Sequence, residues 1–209
     1  AKAQNSLGMM YSKGLGVTQD YKKAVEWYLK AAEQEFAPAR YNLGVRCFEG
    51  QGVPQDYEES INWFRKAAEQ GVAQAQSNLG SMYSKGLGTP QDFKEAVNWY
   101  HKAAEQWDAK AQYNMGVIYS KGRGVPQDYE EAVKWYCKSA DQGYASAQNN
   151  LGSLYRKGRG VTQNLEEAVK WYRKAAEQKN ALAQNNLGVI YSKGRGVTQD
   201  NVYAYMWMD

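Results

Sequence analysis

Apolar residues recur along this chain at three- and four-residue steps, in blocks separated by short polar stretches rich in glycine. That spacing places the apolar positions on one side of an α-helix. Two kinds of block alternate. The first reads Ala-x-Ala-Gln-x-Asn-Leu-Gly-x-x-Tyr, as at Ala147, Gln148, Asn150, Leu151, Gly152 and Tyr155. The second reads Tyr-x-x-Ala-Val-x-Trp-Tyr-x-Lys-Ala-Ala-Glu-Gln, as at Phe93, Ala96, Val97, Trp99, Tyr100, Ala103, Ala104, Glu105 and Gln106. The blocks are termed helix A and helix B.

The pattern has a strict period of 36 residues. Trp27, Trp63, Trp99, Trp135, Trp171 and Trp207 keep it without a slip, as do Gly8, Gly44, Gly80, Gly116, Gly152 and Gly188. Such a period denotes stacked supersecondary units rather than one closed globule. The repeats are expected at 1–36, 37–72, 73–108, 109–144 and 145–180, with a partial copy at 181–209. Short connections make successive helices antiparallel neighbours. The predicted class is therefore all-α, a single array of helix pairs. A stack offers extended surface and no natural central pocket, so a binding scaffold is the first functional expectation.

Local signals fix the helix ends. Helix A closes on Lys-Gly-x-Gly, as at Lys121-Gly122-Arg123-Gly124, where lysine complements the helix dipole and the first glycine suits a left-handed cap. Asp20, Asp56, Asp92, Asp128, Asn164 and Asp200 stand where helix B needs its N-cap. Glu59, Glu95, Glu131 and Glu167 follow three residues later, as in a capping box. Glycine inside helix A costs about 1 kcal/mol relative to alanine. Its return in every copy predicts a neighbour too close for a Cβ.

On these motifs the chain resembles the Sel-1-like repeat family, relatives of the tetratricopeptide repeat with a slightly longer unit. The likeness runs through every copy. It implies a right-handed α-solenoid, with helix A on the concave side and helix B on the convex side. It also implies an adaptor that holds protein complexes together, and it favours a bacterial, exported protein, periplasmic or secreted. The resemblance brings no catalytic residue. The chain opens in mid-pattern at Ala1-Lys2-Ala3-Gln4, so it is expected to belong to a longer polypeptide.

Composition narrows the partners. The net charge of +4 is mildly basic and lacks the concentrated footprint of nucleic-acid binding, so nucleic acid is disfavoured. No apolar run approaches the roughly 18 residues of a membrane span. Cys47 and Cys137 lie two and a half repeats apart. Helices spaced about 8–10 Å put them roughly 20 Å or more from each other, beyond the roughly 7 Å a disulfide tolerates. Both are expected as free thiols, Cys47 buried and Cys137 exposed.

Catalytic constellations are missing. His101 occupies a position held elsewhere by Leu29, Arg65, Cys137 and Arg173, and has neither a second histidine nor a cysteine cluster beside it. The Gly-x-Gly loops follow a helix and lack the lysine–hydroxyl pair of a phosphate loop. The reading is of a non-enzymatic chain with no metal and no cofactor.

Binding candidates lie where the period relaxes. Asparagine recurs on helix A at Asn42, Asn78, Asn114, Asn150 and Asn186, although it is a poor residue for a helix interior. Two explanations stay open: amides that pair with a bound peptide, or amides that bond an adjacent repeat. The preceding position varies through Asn5, Tyr41, Ser77, Tyr113, Asn149 and Asn185. Together these suggest a recognition groove comprising Tyr41, Asn42, Asn78, Tyr113, Asn114, Asn149, Asn150, Asn185 and Asn186.

A basic ridge at the helix A ends includes Lys121, Arg123, Lys157, Arg159, Lys193 and Arg195. It serves either as dipole compensation or as a contact for an acidic partner. Trp107 breaks the tryptophan ladder by standing where Gly71 and Gly143 occur in other copies, and is expected to be exposed. The last helix is apolar on nearly every side, making Tyr203, Tyr205, Met206 and Met208 a candidate self-association surface. The leading expectation is a scaffold that binds a peptide or protein segment along helix A. The alternative is an architectural module that associates through its stack ends and basic rim.

Overall fold

A computed structural model describes residues 1–194 and 197–208. Arg195 therefore lies outside the described residues, as does the side chain of Met208. The described chain forms twelve helices and no strand. They are α1 (Lys2–Lys13), α2 (Tyr21–Ala32), α3 (Ala37–Glu49), α4 (Tyr57–Glu69), α5 (Ala73–Lys85) and α6 (Phe93–Glu105). There follow α7 (Ala109–Lys121), α8 (Tyr129–Asp141), α9 (Ala145–Lys157), α10 (Leu165–Glu177), α11 (Ala181–Lys193) and α12 (Asn201–Met208). Odd-numbered helices are helix A of each repeat and even-numbered ones helix B. They gather into two compact units, Ala1–Gln106 and Trp107–Asp209, and within each unit every helix packs on its neighbours in sequence.

The helix stops follow the expected logic. Gly14, Gly50, Gly86, Gly122, Gly158 and Gly194 all adopt the left-handed conformation, φ between 60° and 68°. The next segment is tied back by a repeated glutamine, which no helix-end motif signals. Gln19, Gln55, Gln91, Gln127, Gln163 and Gln199 each donate to a carbonyl near the end of the preceding helix A, at 2.8–2.9 Å. Carbonyls orphaned by the helix end thereby gain a donor.

At the helix B starts, Asp56, Asp92, Asp128 and Asn164 accept from the backbone N–H three residues on. The reciprocal half of the capping box does not form. The N–H groups of Asp56, Asp92, Asp128 and Asn164 donate instead to Cys47, Tyr83, Tyr119 and Tyr155 carbonyls on helix A. Glu131 and Glu167 are left to pair with Lys134 and Lys170.

The core is built from alanines and from the ring that follows each of the first five ladder tryptophans. Tyr28, Phe64, Tyr100, Tyr136 and Tyr172 are all buried, whereas of the tryptophan ladder only Trp99 and Trp135 are. Trp27, Trp63, Trp171 and Trp207 are half-buried. The ladder instead carries a lysine on its outer faces. Lys30, Lys66, Lys102, Lys138 and Lys174 stand 4.3–4.5 Å from the ring centroid of the tryptophan three residues earlier. This is a cation–π pairing repeated along helix B.

Glutamine amides add a second repeated device. Gln34, Gln106, Gln142 and Gln178, at the ends of helix B, donate at 2.6–2.8 Å to Gln4, Gln76, Gln112 and Gln148 of helix A. Gln76 and Gln148 are buried and donate onward to Ala68 and Ala140 carbonyls of the previous repeat. A buried amide left without partners would cost about 1–3 kcal/mol, so these chains hold neighbouring repeats in register.

Candidate functional site

The helix A asparagines divide into two groups. Asn42 donates to Asn5 at 2.9 Å and Asn186 to Asn149 at 3.0 Å, each across a repeat boundary. Asn150 donates to the Tyr136 hydroxyl at 3.2 Å. These three amides are engaged by the fold. Asn78 and Asn114 are half-buried, and their side chains have no hydrogen-bond partner among the described residues. Asn149 is buried and Asn185 exposed.

Tyr41 and Tyr113 are half-buried and packed rather than freely presented. Tyr41 lies 5.7 Å from Phe64, and Tyr113 lies 5.9 Å from Tyr136 and 5.2 Å from Tyr144. Trp107 is 69% exposed and holds φ at 63°, a left-handed conformation usually left to glycine. On α12, Tyr203 packs edge-on against Tyr191 at 4.7 Å and faces Trp207 at 6.0 Å. Val202, Tyr205 and Met206 remain exposed, and Ala204 alone among the described side chains of that helix is fully buried. The helix is therefore one-sided, not buried all round.

The structure joins two sets of residues that the sequence kept separate. A cleft of about 660 Å³ lies in the second unit, walled by α7 and α9. Its lining includes Tyr113 and Asn150 from the helix A series together with Lys121, Lys157 and Arg159 from the basic ridge. Val117 and Leu154 supply apolar surface, and Tyr136 lies at the floor. Arg123 and Lys193 are exposed elsewhere on the surface.

Hydroxyl groups in the cleft are oriented by their partners. Ser120 donates to the Val117 carbonyl at 3.0 Å, so the 3.4 Å contact between its oxygen and Tyr136 uses the tyrosine proton. Burial pushes the Tyr136 phenol above its ordinary value, against the lowering effect of Ser120 and Asn150. The Tyr129 oxygen accepts from Gln127 at 3.2 Å and from Arg159 at 3.3 Å, and the Arg159 guanidinium also lies 5.3 Å from the Tyr129 ring centroid. Arg159 is thus held in place by one tyrosine.

Both cysteines are free, as expected. Cys47 is buried, and burial followed by Glu59 and Asp56 pushes its thiol up to about 11. Cys137 is half-buried rather than exposed, because it packs against the cluster around Ala140 and Leu151. His101 is exposed and stands 3.5 Å from Glu105. No described helix is long and apolar enough to cross a membrane.

The Sel1 repeat family model matches residues 1–36, 37–72, 73–106, 109–144, 145–180 and 181–209. The chain belongs to the Sel1 repeat family. Among solved structures, a protective antigen present in uropathogenic Escherichia coli strains, which displays an SLR fold, is 44% identical with a TM-score of 0.95. That match covers 99% of this chain and 44% of the antigen, so the chain spans less than half of that protein. A Sel1 repeat protein from Oxalobacter formigenes is 38% identical with a TM-score of 0.91, over 99% of this chain and 83% of that one. The immunity protein Pa5087 from Pseudomonas aeruginosa, at 22% identity, TM-score 0.57 and coverage of 99% and 80%, shares the fold. No curated protein sequence matches. The Sel1 repeat fold is a right-handed α-solenoid of antiparallel helix pairs, and Sel1 repeat proteins are generally protein-interaction scaffolds.

Proposed function

We propose that this Sel1 repeat chain is a non-enzymatic adaptor that grips a peptide or protein segment along its helix A surfaces. The observation that carries the reading is the pair of unengaged amides at Asn78 and Asn114, one in each unit. Asparagine disfavours the helix interior by about 0.5 kcal/mol or more relative to alanine. Where Asn42, Asn150 and Asn186 offset that cost with bonds inside the protein, Asn78 and Asn114 do not. Each can supply a donor and an acceptor to the backbone of a bound strand. Tyr41 and Tyr113, already packed, offer rigid contact area nearby in sequence at little further entropy cost.

The test is capture of a native partner from source cells by the chain and by a variant carrying Asn78→Ala with Asn114→Ala. At least tenfold weaker capture is expected, while thermal stability holds or rises because alanine is the better helix former. Undiminished capture removes the helix A reading.

Self-association through α12 is the second reading, favoured by the exposure of Val202, Tyr205 and Met206 on one side of a helix. A light-scattering mass that stays monomeric up to high concentration counts against it. The likeness to a bacterial protective antigen makes an exported location part of the same proposal.

A further inference from the structure

The cleft between α7 and α9 has a chemistry that the repeat itself does not demand. Lys121, Lys157 and Arg159 are exposed on its rim, no aspartate or glutamate lines it, and none of the three cations has an ion-pair partner among the described residues. Two repeats earlier the same scaffold positions carry other residues. Ser120, Lys121, Tyr136 and Arg159 correspond there to Phe48, Glu49, Phe64 and Leu87. The fold closes with either set, since Phe64 and Tyr136 are equally well buried. One repeat earlier Ser84, Lys85, Tyr100, Lys121 and Arg123 stand at the corresponding positions, but Phe93 replaces Tyr129, so the pairing of a tyrosine hydroxyl with the arginine is what is particular to repeats four and five.

The details fit carboxylates better than nucleic-acid bases. Tyr113 is packed on Tyr136 and Tyr144, and the Tyr129 ring carries the Arg159 guanidinium, so neither wall offers a free stacking platform. Arg159 is fixed by the Tyr129 hydroxyl and ring, leaving its remaining N–H donors in a planar fork suited to a carboxylate. The Tyr129 oxygen already accepts two bonds, so its own proton is available to a ligand. At about 660 Å³ the space holds a few side chains, with Val117 and Leu154 to cover their stems.

We propose that this cleft is the seat of an acidic peptide segment of a partner protein, whose neighbouring carboxylates meet Lys121, Lys157 and Arg159. The proposal rests on the scaffold reading above and names the chemistry of one of its ligands.

The experiment uses fluorescein-labelled hexaglutamate and hexaglutamine peptides, with polarisation read against the intact chain. Hexaglutamate should bind and hexaglutamine should not, and binding should weaken several-fold as salt is raised, because exposed charges are screened. Lys121→Gln with Lys157→Gln should weaken hexaglutamate at least tenfold. Lys22→Gln with Lys94→Gln removes the same net charge from exposed sites outside the cleft and should change binding less than twofold. Equal losses from the two pairs, equal binding of both peptides, or no binding of hexaglutamate would overturn the proposal. So would tighter binding of a single-stranded RNA through the same lysines. A chain that ignores hexaglutamate yet loses its partner through Asn78→Ala and Asn114→Ala keeps the scaffold reading and loses only this one.

Discussion

The Cβ that Gly116 lacks would stand 2.5 Å from Cδ1 of Tyr136. The aromatic ring of helix B lies directly on the bare backbone of helix A. The relationship recurs at Gly8 with Tyr28, Gly44 with Phe64, Gly80 with Tyr100 and Gly152 with Tyr172. Glycine here is the counterpart of a buried ring, and neither can be explained without the other. The helix-propensity cost of glycine is offset by burying an aromatic side chain, worth about 1.5–3 kcal/mol for a residue such as Phe.

Gly116→Ala should therefore destabilise the chain, although the same change in an open helix would add about 1 kcal/mol of stability. Overpacking of this kind costs about 1–3 kcal/mol. Gly152→Ala should cost less, since its added Cβ would meet Tyr172 at 3.0 Å. Thermal unfolding of the two variants beside the parent measures the order. A stabilised Gly116→Ala chain would contradict the ring-on-glycine account.

Trp107→Gly should act in the opposite direction. Trp107 is exposed and left-handed in the turn where Gly71 and Gly143 hold φ at 86° and 84°. A left-handed non-glycine residue costs about 1–2 kcal/mol. Relief of part of that cost should raise the melting temperature by about 2–4 °C in a chain of this size. A lower melting temperature would show that the indole makes contacts that outweigh the backbone strain.

Much of this architecture was legible because the period repeats each signal six times. Glycine stops, aspartate caps and alanine stripes are short-range features, and Gly122, Asp128 and Ala132 sit where their local rules put them. Long-range partners were not legible. Nothing in the residue type told Asn150, which meets Tyr136, from Asn114, which meets no partner among the described residues. The missing half of the capping box has the same origin. The Asp128 N–H is taken by the Tyr119 carbonyl across the loop, a contact that no local motif encodes. The ladder tryptophans are the largest repeated signal but not the deepest one. They mark the period, but in the first five repeats the smaller ring that follows is deeper because it faces the glycine. The cleft leaves no local signature because it draws on Lys121 and Arg159 at helix ends in two different repeats.

Lys138→Met tests the outer face of that ladder. The ammonium lies 4.3 Å from the Trp135 ring centroid, and methionine keeps an apolar stem while removing the charge. A loss of about 0.5–1 kcal/mol is expected from an exposed cation–π pair. Lys138→Arg should retain most of it, since guanidinium also stacks on aromatic faces. A methionine variant as stable as the parent in chemical unfolding would mean that stem packing, not charge, is what matters.

Cys47 gives the chain an alkaline limit whose sign follows from burial. Its thiol is pushed up to about 11, whereas an unfolded cysteine ionises near the ordinary value of about 8.5. Below the unfolded value the thiol is neutral in both states and its contribution is fully present. Above it the unfolded chain loses its proton first, so the folded state binds more protons and stability falls with rising pH. The loss should run between about pH 8.5 and 11 and amount to no more than about 3 kcal/mol. Buried tyrosines such as Tyr100 and Tyr136, also raised by desolvation, add a slope at still higher pH. Cys47→Ala separates the two. It should lower stability at neutral pH by opening a small cavity, yet flatten the pH dependence of unfolding between 9 and 11. Parallel curves for the parent and the variant through that window would show that the Cys47 thiol ionises as readily in the fold as out of it.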